Sequence, residues 1–165
     1  MANISKYMAL KLMRELGIQS RMHKRYNKSK TTVDVAQRPN LIRYLADLSG
    51  VWQTDITYIQ LTNKEWVYLA SVYDPERRRV LGYKISDTMT AKLATDALQM
   101  ALDNEPKPMF VHSDMGSQYT SAEFEIKLQH YGIKHSHSLK GHPYDNGRIE
   151  AFHSLLKREE VYAKQ

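Results

Sequence analysis

The 165-residue sequence contains no cysteine, which excludes disulfide bonds and zinc sites made of thiolates. It has no apolar run of about 18 residues and no charged-then-apolar leader, so we expect neither a membrane span nor an export signal. It also lacks a P-loop and a dinucleotide-binding glycine pattern, and we therefore expect no nucleotide cofactor. With 42% hydrophobic and 25% charged residues, the composition is that of a soluble domain in a reducing cytoplasm.

Acidic residues are scarce in the first part of the chain. Residues 1–40 contain nine Lys and Arg but two Asp and Glu, whereas residues 41–165 contain 15 basic and 16 acidic residues. The whole positive excess, +6 with neutral histidines, therefore belongs to the first segment. Such a segment is typical of one that contacts a phosphate backbone, although a merely solubilising tail has the same composition. The basic side chains that we expect to contact DNA are Arg21, Lys24, Arg25, Lys28 and Lys30.

Hydrophobic periodicity and turn signals divide the chain into α and β elements. A helix is predicted over residues 4–16, and a basic connector separates it from a second segment. In that segment, short turns indicate a three-stranded antiparallel meander, and the order βββαβαβα indicates an α/β sandwich on a mixed sheet. We therefore divide the chain into residues 1–40 and residues 41–165. The predicted strands cover residues 52–60, 65–74, 79–86, 109–112 and 133–137, and the predicted helices cover residues 90–102, 121–131 and the segment around Glu150.

Three carboxylates stand at positions where a fold can present ligands. Asp55 lies inside a strand rich in β-branched and aromatic residues, and Asp114 ends a short apolar strand beside a glycine. Glu150 lies near the start of an amphipathic helix. An acid inside an apolar strand is costly to bury unless something cationic pairs with it. This placement favours a cation-binding role for the three side chains.

The helix that carries Glu150 follows a loop that contains glycine and proline. Asp145 or Asn146 is expected to cap its first turn, because either side chain can accept a hydrogen bond from a free backbone amide. Lys157 lies about two helical turns beyond Glu150, so both side chains are expected to project from one face. A carboxylate near the helix start and a cation two turns later suit a metal and a phosphate. The alternative is an ordinary amphipathic surface helix.

The three carboxylates lie in sequence blocks that, taken together, are specific. The blocks are Thr54–Tyr58, His112–Tyr119 and Tyr144–Glu150, with 35 residues between Asp114 and Glu150. They resemble the signatures of DDE recombinases of the retroviral-integrase type, and most of all the second-frame transposases of the IS-three family of bacterial insertion sequences. This resemblance implies an RNase H-like fold: a mixed five-stranded sheet, with three antiparallel strands first, flanked by helices.

The resemblance also implies a chemistry, namely metal-dependent cleavage and transfer of DNA strands during transposition. Asp55, Asp114 and Glu150 are expected to hold two Mg²⁺ or Mn²⁺ ions, with Asp55 bridging them. The nucleophile is expected to be water or a DNA 3′-hydroxyl, so no serine or tyrosine nucleophile is required. The expected partners are the element ends and target DNA, bound by a homo-oligomer in the bacterial cytoplasm and its nucleoid. Further DNA contacts are expected from Lys157, Arg158, Asn146 and Gln118.

The resemblance is incomplete at both ends of the chain, where relatives have further helices. The helix over residues 4–16 resembles the last helix of a helix-turn-helix, and relatives continue beyond residue 165 with further helices. We therefore expect a remnant DNA-binding region and a catalytic core that is truncated at its C-terminus. One alternative is a truncated, non-catalytic DNA-binding or assembly subunit that modulates a full-length transposase. Another is a general RNase H-like nuclease, which the basic segment and the Asp-Asn-x-x-x-Glu block disfavour.

Histidines are concentrated in the last third of the sequence. His135 and His137 alternate on a predicted strand, which can place both rings on one face for a transition metal. No further ligands follow at a recognisable spacing, so the sequence favours surface or supporting histidines.

Overall fold

A computed structural model describes residues 5–18, 38–139 and 143–162 of the protein. Residues 5–18 belong to one compact unit, and residues 38–139 and 143–162 belong to another. The division at residue 40 therefore stays a prediction, because the connector is outside the described residues. Five predicted DNA contacts also lie outside them: Arg21, Lys24, Arg25, Lys28 and Lys30.

The first unit contains helix α1, Lys6–Glu15. The side chain of Ser5 caps it by accepting a hydrogen bond from the amide of Met8 over 3.2 Å. The helix ends where Gly17 adopts a φ of +64°, as expected of a glycine that stops a helix. The predicted helix is thus present with slightly shorter bounds.

The second unit is built on one mixed sheet, with the strand order β3-β2-β1-β4-β5 among the described residues. The strands β1, β2 and β3 pair antiparallel, and β4 and β5 add to β1 in parallel. This is the predicted sheet, in which three antiparallel strands come first. The bounds are β1 Val51–Gln60, β2 Trp66–Asp74, β3 Arg79–Ser86, β4 Phe110–Ser113 and β5 Lys134–His137.

Three helices accompany this sheet in the described part of the chain. Thr90 caps α2 through its side chain, and Ser121 caps α3 in the same way. A 3₁₀ turn, Pro143–Asn146, leads into α4, and a π-helical turn, Lys157–Val161, follows it. The bounds are α2 Ala91–Asn104, α3 Ala122–Tyr131 and α4 Gly147–Leu156.

The two faces of the sheet are covered by different helices. One face packs against α2 and α3 around Trp52, Val72 and Phe124, whereas α4 packs on the other, where Phe152 stacks on Tyr73. Alternate side chains of β1 and β2 therefore point to opposite helical layers. This alternation directs Asp55 towards α4 and its neighbour Thr54 towards α3.

Helix α2 lies close to β3 because of a glycine. A Cβ atom on Gly82 would lie 2.4 Å from the carbonyl oxygen of Ala97 and 2.6 Å from the amide nitrogen of Ala101. Helical periodicity in the sequence predicts that Met100 points inward, but this prediction is wrong, since its side chain is exposed at the edge strand β3. The buried face of α2 instead includes Leu93, Ala94, Ala97, Leu98 and Ala101.

Candidate active site

The candidate active site lies where β1 and β4 separate. Their parallel pairing ends with Gln53 opposite His112, whereas β1 continues along β2 to Gln60. In open α/β sheets, ligands bind beyond the carboxyl ends of strands at such points of divergence. Asp55 comes two residues after the last pair, and Asp114 comes directly after β4.

Asp55 is half-buried on β1, opposite Ser71 of β2. Its Oδ2 atom lies 3.3 Å from Nδ1 of His153, although the two atoms are not aligned as a hydrogen bond. The other ring nitrogen, Nε2, lies 3.1 Å from Oγ of Ser71. The ring of His153 therefore connects α4 with both central strands and borders the Asp55 carboxylate.

Asp114 is exposed in a tight turn after β4. The amide of Gly116 donates to its Oδ1 over 2.9 Å. A Cβ atom on Gly116 would lie 2.9 Å from this oxygen and 3.1 Å from Oε1 of Gln118. Glycine thus allows the turn to close around the carboxylate. Gln118, a predicted DNA contact, also donates to the carbonyl of Met89 over 3.3 Å.

Glu150 lies in the first turn of α4, as predicted, and its side chain is exposed. The buried residues Ile149 and His153 hold this helix on the sheet. Partial burial raises the pKa of Glu150, and the carboxylates of Asp55 and Asp114 raise it further, while His153 lowers it. The structure therefore brings Asp55 and Asp114 close enough for both charges to act on Glu150.

A buried pair of hydroxyl groups lies beneath this site. The Oγ1 atom of Thr54 donates to the carbonyl of Ser71 over 3.0 Å and lies 3.2 Å from the hydroxyl of Tyr119. Tyr119 is 1% exposed, and its burial raises its pKa well above the ordinary value. The nearby charges of Asp55 and Asp114 act in the same direction. The Tyr119 hydroxyl is therefore neutral and supports the site from below.

Asn146 occupies the N-cap position of α4, but its side chain makes no capping hydrogen bond. The predicted capping role is therefore wrong. The 3₁₀ turn directs its amide towards β1, where Nδ2 donates to the buried carbonyl of Thr54 over 3.3 Å. Asp145 is engaged elsewhere as well, because its Oδ2 accepts from the amide of Leu139 over 3.1 Å. The structure assigns Asn146 a contact that holds α4 to the sheet.

Lys157 and Arg158 differ in their surroundings. We expected Lys157 to lie on the same unbroken α-helix as Glu150. The α-helix instead ends at Leu156, and Lys157 begins a π-helical turn. Its Nζ atom lies 4.5 Å from the ring centroid of Tyr58, which is exposed. Arg158 forms an ion pair with Glu159 over 3.1 Å at the surface. A cation held over an aromatic ring is more fixed in position than an exposed one.

Sequence reasoning missed the residues that support the carboxylates. The sequence favours a surface or supporting role for His153 without assigning it to a carboxylate, indicates Tyr119 only as a weak candidate for substrate contact or loop support, and assigns no role to Thr54. The spacing of His153, three residues after Glu150 and four after the buried Ile149, was a usable signal. It places His153 on the face of α4 that packs against the sheet.

Comparison with known proteins gives a family for this fold and site. Residues 49–143 match the family model of the integrase core domain, and the chain therefore belongs to the integrase core domain family. It is 42% identical over 123 residues to the transposase InsF for insertion sequence IS3A of Escherichia coli (strain K12), covering 73% of this chain and 42% of that protein. It is 37% identical over 158 residues to the transposase for insertion sequence element IS904 of Lactococcus lactis subsp. lactis (strain IL1403), covering 90% and 61%. The chain thus spans about half the length of these relatives.

Solved structures with a similar fold include a viral integrase catalytic core domain and a viral intasome. The HTLV-2 integrase catalytic core domain in complex with magnesium aligns with a TM-score of 0.56 at 23% identity, covering 73% of this chain and 69% of that one. The simian T-cell lymphotropic virus intasome in complex with PP2A regulatory subunit B56 gamma aligns with a TM-score of 0.61 at 24% identity, covering 73% and 40%. These alignments confirm the predicted RNase H-like fold.

Proposed function

We propose that the chain is the catalytic core of a DDE transposase that cleaves and transfers DNA strands during transposition of an insertion sequence. The observation that supports this most is the placement of Asp55, Asp114 and Glu150 around the point where β1 and β4 separate. Burial, followed by the charges of Asp55 and Asp114, raises the pKa of Glu150 there. The similarity to the transposases of IS3A and IS904 supports the same reaction class.

The three carboxylates suit divalent metal ions. Hard cations such as Mg²⁺ and Mn²⁺ prefer oxygen ligands, which is what these side chains offer. Among the described residues, no Lys or Arg forms an ion pair with Asp55 or Glu150, so their mutual repulsion is left for a bound cation to relieve. The magnesium named in the HTLV-2 integrase structure supports this choice. Two bound ions would supply positive charge at the scissile phosphate and at its flanking oxygens.

The residues around the carboxylates keep them in place. The contact of Asn146 with β1 and the contacts of His153 with Asp55 and Ser71 hold α4 at the sheet. The hydroxyl pair of Thr54 and Tyr119 supports β1 from the opposite face. In the proposed reaction the nucleophile is water or a DNA 3′-hydroxyl, so the buried hydroxyl of Tyr119 has a supporting role only. The role of the protein is to position the carboxylates and the substrate.

Cationic side chains beside this site are candidates for phosphate contacts. Lys157, fixed over Tyr58, would hold a phosphate near the scissile bond, and Arg158 and Gln118 would contact adjacent DNA. Asn146, the remaining predicted DNA contact, is buried against β1 and would act only by holding α4 in place. The basic first segment, residues 1–40, would add phosphate contacts through Arg21, Lys24, Arg25, Lys28 and Lys30. We further propose that the chain acts as a homo-oligomer on DNA, associated with the bacterial nucleoid.

The test is a nicking and strand-transfer assay on DNA ends with Mg²⁺ or Mn²⁺. We expect Asp114→Asn to lower activity about 100-fold or more, because one ligand of a metal site loses its charge. Asp103→Asn is the matched control, since Asp103 is an exposed carboxylate on α2 that accepts from Gln99 over 2.7 Å. Equal activity in the two variants would contradict the proposal. DNA binding without any metal-dependent cleavage by the unchanged chain would instead identify a non-catalytic subunit.

A further inference from the structure

A second group of metal-ligating side chains lies where α3 packs against β5. It consists of Glu125 on α3 and of His135 and His137 on β5, and none of these residues belongs to the candidate active site. One ligand atom from each residue lies within 4.8 Å of the other two, and among the described residues this group alone meets that spacing. Oε1 of Glu125 is 3.1 Å from Nδ1 of His135 and 3.9 Å from Nε2 of His137.

The neighbours of the two rings indicate which nitrogen faces the group. Nη1 of Arg38 lies 3.3 Å from Nε2 of His137, and a guanidinium has donors only, so this nitrogen accepts. Burial, followed by the charges of His135 and Arg38, lowers the pKa of His137 to about 3, so the ring is neutral. Nε2 of His135 lies 2.9 Å from Oγ of Ser113, which leaves Nδ1 facing Glu125.

We propose that Glu125, His135 and His137 form a binding site for a transition-metal ion such as Zn²⁺, which competes with the guanidinium of Arg38. Two imidazole nitrogens and one carboxylate oxygen are a ligand set that Zn²⁺ accepts and Mg²⁺ does not favour. In a tetrahedral zinc site the ligand atoms are about 3.3 Å apart, as follows from bond lengths of about 2.0–2.1 Å. Two of the three separations, 3.1 and 3.9 Å, lie within about 0.6 Å of this value, and the third is below 4.8 Å.

The site is rigid on the histidine side. His135 and His137 are nearly completely buried, and β5 pairs with β4 along its whole length. The amide of His137 also donates to the carbonyl of Pro39 over 3.1 Å. The contact with Ser113 fixes the ring of His135, which is what an outer partner of a metal-binding histidine does. The ligands are therefore held in place before any ion binds.

Arg38 is the competing cation in this site. Its Nη1 atom lies 3.6 Å from Oε1 of Glu125, and Nη2 donates to the carbonyl of Thr120 over 3.4 Å. An ion bound between Glu125 and His137 would stand within a few ångströms of the same guanidinium, and the two positive charges repel each other. Metal binding would therefore displace the Arg38 side chain towards solvent. Removal of the Arg38 charge is expected to tighten metal binding.

The experiment measures Zn²⁺ binding by titration calorimetry and the visible absorption of bound Co²⁺. All chains carry Asp114→Asn, which weakens the carboxylate cluster as a second site. We expect one ion per chain, with affinity lowered about 100-fold by His137→Ala and about tenfold or more by Glu125→Gln. The matched control is His130→Ala, because His130 lies on α3 outside the group and should leave affinity unchanged. Arg38→Gln should raise affinity about tenfold.

Three results would overturn the proposal. The first is Zn²⁺ binding weaker than about 100 µM, which is adventitious for a three-ligand site. The second is equal affinity in Glu125→Gln and His130→Ala. The third is weaker binding in Arg38→Gln, which would mean that Arg38 organises the group as its own counter-ion. Urea unfolding of each variant separates lost ligands from lost fold, and Glu125→Gln, at a partly exposed side chain, remains informative if His137→Ala does not fold.

Discussion

Replacement of His153 tests whether a neighbour on α4 sets the position of Asp55. The ring is 4% exposed, and it contacts Oδ2 of Asp55 at 3.3 Å and Oγ of Ser71 at 3.1 Å. His153→Leu keeps most of the volume but removes both polar contacts. His153→Gln keeps an amide that can reach Ser71 and is the conservative partner variant.

The expected magnitude follows from the geometry. Loss of a residue that orients a metal ligand typically lowers metal affinity or activity about 10–100-fold. The contact with Asp55 lacks hydrogen-bond alignment, so we expect the lower end for His153→Leu, about tenfold, which corresponds to about 1.4 kcal/mol. Loss of the contact with Ser71 leaves a buried hydroxyl without that partner, which costs about 1–3 kcal/mol of unfolding free energy.

The assay compares the Mg²⁺ dependence of strand nicking with urea unfolding in the same buffer. We expect His153→Leu to require about tenfold more Mg²⁺ for half-maximal activity, and His153→Gln to recover most of that loss. Unchanged Mg²⁺ dependence in a folded His153→Leu chain would refute the reasoning. So would an activity loss that only follows the fraction of folded protein.

Three further predictions concern the fold and the DNA contacts. Gly82→Ala should lower the unfolding free energy by about 3 kcal/mol, because its Cβ would meet the backbone of α2 at 2.4 Å. Gly147→Ala, whose Cβ would meet no atom within 4 Å, should raise the unfolding free energy by about 0.5–1 kcal/mol. Equal effects of the two substitutions in urea unfolding would contradict the close packing of α2 on β3. Lys157→Glu should lower binding of element ends about tenfold. Arg158→Glu should lower it less, about threefold, because Arg158 is already paired with Glu159, and equal losses would indicate general electrostatics. Removal of residues 1–30 should flatten the salt dependence of DNA affinity, since fewer counterions are released, and an unchanged slope would assign the phosphate contacts to the core.

The sequence predicted most of the fold because its local signals are strong. Short turns between β-rich segments are compatible with few arrangements other than a meander, and Thr90 stands directly before an apolar-periodic run. The tight turn at Gly116 was visible as a glycine beside an acid. For these elements, neighbouring residues in the chain determine the structure, so periodicity and turn chemistry are sufficient.

Contacts between distant residues could not be predicted in this way. Asn146 has the chemistry of an N-cap, yet the carbonyl of Thr54, far away in the sequence, takes its amide. Glu125 and Arg38 meet His137 only because the chain folds, so the sequence offered two histidines and no third ligand. Local propensity also placed Met100 inside, whereas the approach of α2 to β3 selects a different helical face.

The three carboxylates come from separate parts of the chain, so the candidate site is completed only late in the synthesis of this unit. Asp55 and Asp114 are translated well before α4, and their convergence with Glu150 requires Ile149 and His153 to pack on the sheet. A nascent chain that has formed only the meander carries one of the three acids, Asp55, and a chain that has reached the turn after β4 carries two, so neither contains the complete set of candidate metal ligands. Translation adds about 5–20 residues per second, so α4 leaves the ribosome several seconds after β1. The set of carboxylates is therefore completed only when α4 has packed on the sheet.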